Sequence, residues 1–161
     1  MTKPLVGVVM GSASDLDTMQ HCASQLEALG VPFETRVLSA HRTPKELAVW
    51  IEDAESRGVE VFIAAAGMAA ALPGVVAAHT TRPVLGVPME SKLAGGLDSL
   101  LSMVQMPGGI PVGVVAIGKS GAVNAAILAA QILGRSHPGF DEAVRTYREA
   151  KAAEILADPG P

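Results

Sequence analysis

The stretch PLVGVVMGSASDLDTMQ, Pro4 to Gln20, decides the fold. Val6, Val8, Val9 and Met10 form a short apolar run that stops at Gly11. The run does not alternate with polar residues, as expected of a strand covered on both faces. The period then changes. From Ser14 to Leu29, apolar residues recur at helical spacing, with Leu16, Met19, Ala23 and Leu26 on one face. Ser14 is placed to cap this helix, with Asp17 three residues on, and Gly30 ends it. A buried strand feeding a helix through a short Gly-Ser loop is the first half of a parallel β-α-β unit.

The same alternation continues along the chain. VPFETRVLS reads as a second strand. Thr43-Pro44-Lys45-Glu46 reads as a helix start: Thr43 as N-cap, Pro44 at the first helical position, Glu46 closing a capping box. Leu47, Ile51 and Ala54 carry its apolar face to Gly58. VEVFIAAAG is a third strand, followed by the small-residue loop GMAAALPG and a short helix in VVAAHT. PVLGVP is a fourth strand, GLDSLLSMVQ a helix, MPGGIP a loop and VGVVAIG a fifth strand. AVNAAILAAQIL is a helix apolar nearly all round, with Asn124 and Gln131 on one face; such a helix is buried on most sides. A more polar helix from Phe140 to about Leu156 closes the chain, docked by Phe140, Val144 and Tyr147. Strands alternating with helical crossovers predict an α/β protein with a five-stranded parallel sheet covered on both faces. No linker, repeat or low-complexity segment interrupts it, so residues 1–161 are expected to form a single domain, with its core in 5–135.

Composition narrows the function. Of the 161 residues, 49% are hydrophobic and 17% charged, where a typical domain is nearer a quarter charged. Gly, Pro or a polar residue interrupts every long apolar run, so a membrane role is not expected. The surplus apolar surface predicts a homo-oligomer. The net charge is −4 and there is no basic stripe, which argues against nucleic acid as partner. One cysteine, Cys22, leaves no intrachain disulfide, and the first residues show no signal-peptide pattern. A cytoplasmic enzyme or binding protein fits these features.

Ligands of open parallel sheets bind outside the carboxyl ends of the strands. GSASD, after the first strand, offers Gly11 for close approach, the hydroxyls of Ser12 and Ser14, and the free amides of a helix start: an anion site apt for phosphate. Asp15 lies in the first helical turn; taken alone, the better reading is that Asp15 complements the helix dipole and the serines cap the helix. It is neither a Walker loop nor a GxGxxG, so a nucleoside triphosphate or dinucleotide is not expected. SAHRTP, after the second strand, is more specific. Thr43 and Pro44 are explained as helix starters, but Ser39, His41 and Arg42 are not. A histidine titrates near working pH and can carry a proton; an adjacent arginine can hold a phosphate or carboxylate with two hydrogen bonds. GMAAALPG offers space and backbone rather than functional groups. His21, His79 and His137 read as structural, and no pair has metal-ligand spacing, so no metal is expected. The residues alone therefore predict an oligomeric α/β enzyme for a small phosphorylated molecule, with His41 as proton carrier.

GSASD, SAHRTP, AAALPGVVAAHTTRPVLGVP and SLLSMVQMPGGIPVGVVAIGKSGAVNAAILAAQIL together resemble the N5-carboxyaminoimidazole ribonucleotide mutases of de novo purine synthesis, bacterial class I. The resemblance spans roughly residues 5 to 135. It implies a flavodoxin-like three-layer sandwich, assembled as an octamer, with a C-terminal helix. The implied reaction moves a carboxyl group from the exocyclic nitrogen of the ribonucleotide to the neighbouring ring carbon, without cofactor, ATP or metal. By resemblance, His41 is the acid–base, Ser12 and Arg42 meet the phosphate, and Asp15 accepts from a ribose hydroxyl. Ser39, Gly67, Ala70 and Leu72 are further substrate contacts, and the loop near Met106 helps cover the pocket.

One departure stands out. Several members read A-A-H-L-P-G where this chain has Ala71 in place of the histidine. Two rivals share much of the pattern. A related class carboxylates aminoimidazole ribonucleotide directly with carbon dioxide; QMPGGIPVG looks like the mutase branch. A non-catalytic flavodoxin-like module would want aromatic residues for a flavin or an acidic cluster for a phosphoryl group, and the loops carry neither.

Overall fold

The computed structural model describes residues 3–158 and 160. The ends of the expected 1–161 domain, Met1, Thr2, Pro159 and Pro161, lie outside the described residues.

Strand β1 (Val6–Met10) is flanked on both sides, which is why every residue in it is buried. It pairs in parallel with β2 (Phe33–Val37) and with β3 (Val61–Ala66). β4 (Val84–Pro88) adds to β3, and β5 (Gly113–Val114) adds to β4. The order is β2-β1-β3-β4-β5, all parallel. That is the flavodoxin-like order, and the chain reverses its direction of travel across the sheet between β1 and β3.

Two cores sandwich this sheet. Val6, Val8 and Met10 face helix α1 (Leu16–Ala28), helix α5 (Gly118–Leu133) and Val144 of helix α6 (Pro138–Ala157). Val9 faces the other way. It packs with helix α2 (Pro44–Arg57), helix α3 (Leu72–His79) and Met103 of helix α4 (Leu97–Val104). α5 can lie against both the sheet and α1 because Ala122, Ala125, Ala126, Ala129 and Ala130 give it a slim buried surface. Gly7 has a packing reason: a Cβ there would stand 3.0 Å from the ring of Phe62 and 3.2 Å from Trp50. Those two rings pack edge-to-face at 5.5 Å.

Local details correct the sequence expectation in five places. Ser12, not Ser14, makes the first cap: its hydroxyl accepts from the Ser14 amide, opening a 3-10 turn at Ala13–Asp15 before α1 begins at Leu16. Leu16, the first residue of α1, is exposed, and Cys22, one turn from both Met19 and Leu26, joins them in the core instead. Thr43 precedes α2 but closes no capping box. Its hydroxyl is occupied by the loop, accepting from the Ser39 amide at 2.8 Å and donating to the Ser39 carbonyl at 3.2 Å. α3 starts at Leu72, so the small-residue loop is shorter than expected. The fifth strand shrinks to Gly113–Val114 because the chain turns sharply into α5; a Cβ on Gly121 would overlap the carbonyl of Ala116.

A clamp fixes the segment between β2 and α2. Arg57 donates to both Glu34 carboxylate oxygens, at 2.6 and 2.9 Å, and to Asp53 at 2.7 Å. Trp50 donates to Glu34 at 2.7 Å. Burial pushes the Glu34 carboxyl up, but these donors outweigh it and hold the pKa below its ordinary value. Strand and helix are thereby tied on either side of SAHRTP.

Candidate active site

The register sets the site. Met10 lies level with Val37 and Ala65, so the chain leaves β1, β2 and β3 at the same edge of the sheet. A cavity of about 490 Å³ opens there, at the point where the strand order reverses. Ser12, Asp15, Ser39, His41, Arg42, Gly67, Ala70 and Leu72 all line it.

Arg42 ties two of the loops together. Its Nη2 donates to the Gly11 carbonyl at 2.6 Å and its Nε to Ser39 Oγ at 3.3 Å. Ser39 Oγ also accepts the Arg42 amide at 3.2 Å. The guanidinium is thus aimed from the end of β2 over the end of β1. Ser12 Oγ accepts from the Ser14 amide at 3.3 Å and the Ser14 hydroxyl at 2.9 Å, so its own proton is free for an anion. Asp15 is half-buried beside them. Burial raises its carboxyl pKa, opposed by a hydrogen bond from Ser14, by the backbone at Ser12 and by the charge of Arg42. His41 is exposed, on the cavity wall.

The opposite wall is apolar. Ala66, Gly67, Ala70, Ala71 and Leu72 carry it, and Ala71 leaves no imidazole there. Met68 holds the rare left-handed conformation, φ +58°. Its amide donates to the hydroxyl of Ser99, a fully buried side chain on α4, at 2.9 Å. Ser102 Oγ donates to the Met68 carbonyl at 3.3 Å. Two serines of α4 therefore hold this loop from behind. The other histidines are elsewhere: His137 pairs with Glu60 at 3.0 Å, and His21 and His79 lie on α1 and at the end of α3. Cys22 is buried and its thiol is pushed up to about 12. Met106 packs its sulfur against Gly74, where a Cβ would meet it at 3.1 Å, and is not among the cavity's lining residues.

Sequence reasoning did not single out Met68, Met89, Glu90 or Ser99. Met89 and Glu90 carried a signal, since they follow the fourth strand and so stand at the same edge. Ser99 carried none: nothing in a serine inside a helix announces a loop 31 residues away in the chain.

The frame defines a flavodoxin-like α/β protein with a polar-and-apolar cleft at the switch point of its sheet. The chain belongs to the AIR carboxylase family, whose model matches residues 5–154. It is 55% identical to the N5-carboxyaminoimidazole ribonucleotide mutase of Pseudomonas aeruginosa, over 98% of this chain and 96% of that one. It is 57% identical to the Bacillus subtilis protein of the same name, over 87% of this chain and 84% of that one. The crystal structure of Treponema denticola PurE superimposes with a TM-score of 0.88 at 31% identity, over 96% of each chain.

Proposed function

We infer that this chain is an isomerase that converts N5-carboxyaminoimidazole ribonucleotide to 4-carboxy-5-aminoimidazole ribonucleotide in de novo IMP biosynthesis. The observation that carries the reading is the 55% identity, over nearly all of both chains, to a relative bearing that mutase name. The cavity supports it: phosphate-seeking groups stand at one side, a small apolar wall at the other, and a histidine between the loops.

His41 is the acid–base. It delivers a proton to the carbamate nitrogen as the N–C bond breaks, giving the free amine and carbon dioxide. The ring carbon beside the amine attacks the trapped gas, and the new C–C bond forms. His41 takes the proton that this carbon loses, and aromaticity returns. The proton spent in the first half is recovered in the second, so no co-reactant is consumed. The small side chains of Ala66, Gly67 and Ala70 keep the gas close in a dry pocket. Ser12 and the uncommitted Nη1 of Arg42 bind the phosphate, Asp15 accepts from a ribose hydroxyl, and Ser39 and Leu72 complete the contacts. The site works without metal or cofactor, in a cytoplasmic homo-oligomer of eight copies, on a small ribonucleotide rather than nucleic acid or membrane. Exposed Leu93, Leu97, Leu101 and Val104 on and beside α4 support the self-association.

One observation favours a second reading: the family model is described as AIR carboxylase. In that reading the same pocket carboxylates aminoimidazole ribonucleotide with free carbon dioxide. Turnover of the carbamate substrate in the absence of ATP, by wild type and by His41→Asn, tests the proposal. Wild type is expected to turn over and His41→Asn to lose at least about a hundredfold while still binding the ribonucleotide. Undiminished turnover by the variant would remove His41 from the chemistry.

A further inference from the structure

Two carboxylates line the cavity, Asp15 and Glu90, and the mechanism above uses only the first. Glu90 follows β4, three strands across from β2 in the sheet. At about 4.8 Å per strand, the Arg42 and Glu90 loops leave the sheet about 14 Å apart. The cavity therefore carries a cation towards one end and a carboxylate towards the other.

Two left-handed glycines seat Glu90. A Cβ on Gly118, φ +69°, would stand 3.0 Å from Glu90 Oε1. A Cβ on Gly96, φ +107°, would stand 2.8 Å from the Met89 carbonyl oxygen and 3.3 Å from Glu90 Cα. Gly118 opens α5, a helix of 16 residues with no acidic group in its first turn. The Glu90 carboxylate lies beside the first residue of that helix, whose positive end favours a negative group there. An ionised carboxylate only accepts hydrogen bonds. The ribonucleotide is negative at its phosphate and at its carboxyl group, so both are repelled from Glu90. Its ribose hydroxyls can donate, but they are assigned to Asp15 beside Arg42; the exocyclic amine is the donor left for Glu90.

Resting on the mutase reading, we propose that Glu90 is a substrate-binding residue that accepts a hydrogen bond from the exocyclic amine of the aminoimidazole ring. The contact fixes the amine in the ring plane, where its lone pair feeds the neighbouring carbon. The same charge disfavours a carboxyl group left on that nitrogen, which favours transfer to carbon.

The test pairs two ligands with two proteins. Aminoimidazole ribonucleotide and the imidazole ribonucleotide lacking the amine are titrated calorimetrically into wild type and Glu90→Ala. Wild type is expected to prefer the amine-bearing ligand by about tenfold or more. Glu90→Ala is expected to bind both equally, with the affinity wild type shows for the ligand lacking the amine. That retained binding also reports an intact pocket. A preference that survives in Glu90→Ala overturns the proposal. Loss of both ligands by the variant overturns it too, because Glu90 would then be structural. Failure of wild type to bind either ligand sinks the underlying reading as well, and is told apart because the variant plays no part in it.

Discussion

Asp15 shows how one side chain can work against the fold and for the ligand. Burial raises its pKa, so the folded chain holds this proton more tightly than the unfolded chain. Above the raised pKa the ionised carboxylate costs stability; below the ordinary carboxylate range that cost is absent. Asp15→Asn removes the charge at neutral pH. Its Tm is expected to exceed that of wild type at pH 7, with the gain shrinking as the pH falls through the acid range. Affinity for the ribonucleotide is expected to drop about tenfold. A variant less stable than wild type at pH 7 would contradict the burial argument. His41, Arg42 and Ser39 were legible in the sequence because the helix start at Thr43-Pro44 left them unexplained. Glu90 was legible only by its position after the fourth strand; what sets it apart from a solvated charge shows once Gly118 and Gly96 are seen closing on it.

At the scale of elements, backbone positions decide more than side-chain type. Ser99 is fully buried and spends its hydroxyl on the amide of a left-handed Met68. Ser99→Ala strips that partner. Its denaturation midpoint is expected to fall by the equivalent of about 1 kcal/mol at unchanged m, with KM raised and the His41 step intact. A shift in kcat alone would place Ser99 elsewhere in the mechanism. Gly121→Ala is expected to be far worse, because its Cβ meets a backbone carbonyl that cannot step aside. A loss of about 3 kcal/mol or more, read by chemical denaturation, fits that overlap. The alternation of strands and helices was legible because buried parallel strands read as continuous apolar runs. The boundaries were less so. At Ser12 and Thr43 a hydroxyl had several possible partners, and loop geometry chose among them. At the fifth strand, VGVVAIG has the composition of a long strand, but the chain's entry into α5 at Gly118 ends its pairing early.

Part of the molecule's exposed apolar surface gathers on α4, while Val49, Ile155 and Leu156 lie exposed on other helices. Leu97, Leu101 and Val104 recur at helical spacing on α4, with Leu93 at 62% and Met68 at 71% exposure nearby. Composition announced the surplus, but only the fold shows that this part of it lies beside the cavity. Leu101→Asp is expected to yield smaller species than wild type in sedimentation, and a distribution identical to wild type would move the interface away from α4. The central claim, that one pocket breaks and remakes a carboxyl bond without releasing the gas, is tested most directly by isotope. The carbamate substrate is supplied with labelled carbon in its carboxyl group, in buffer rich in unlabelled carbon dioxide and free of ATP. The label is expected to be retained in the ring-carboxylated product. Product formed without label would contradict that expectation, and would make free carbon dioxide the true substrate.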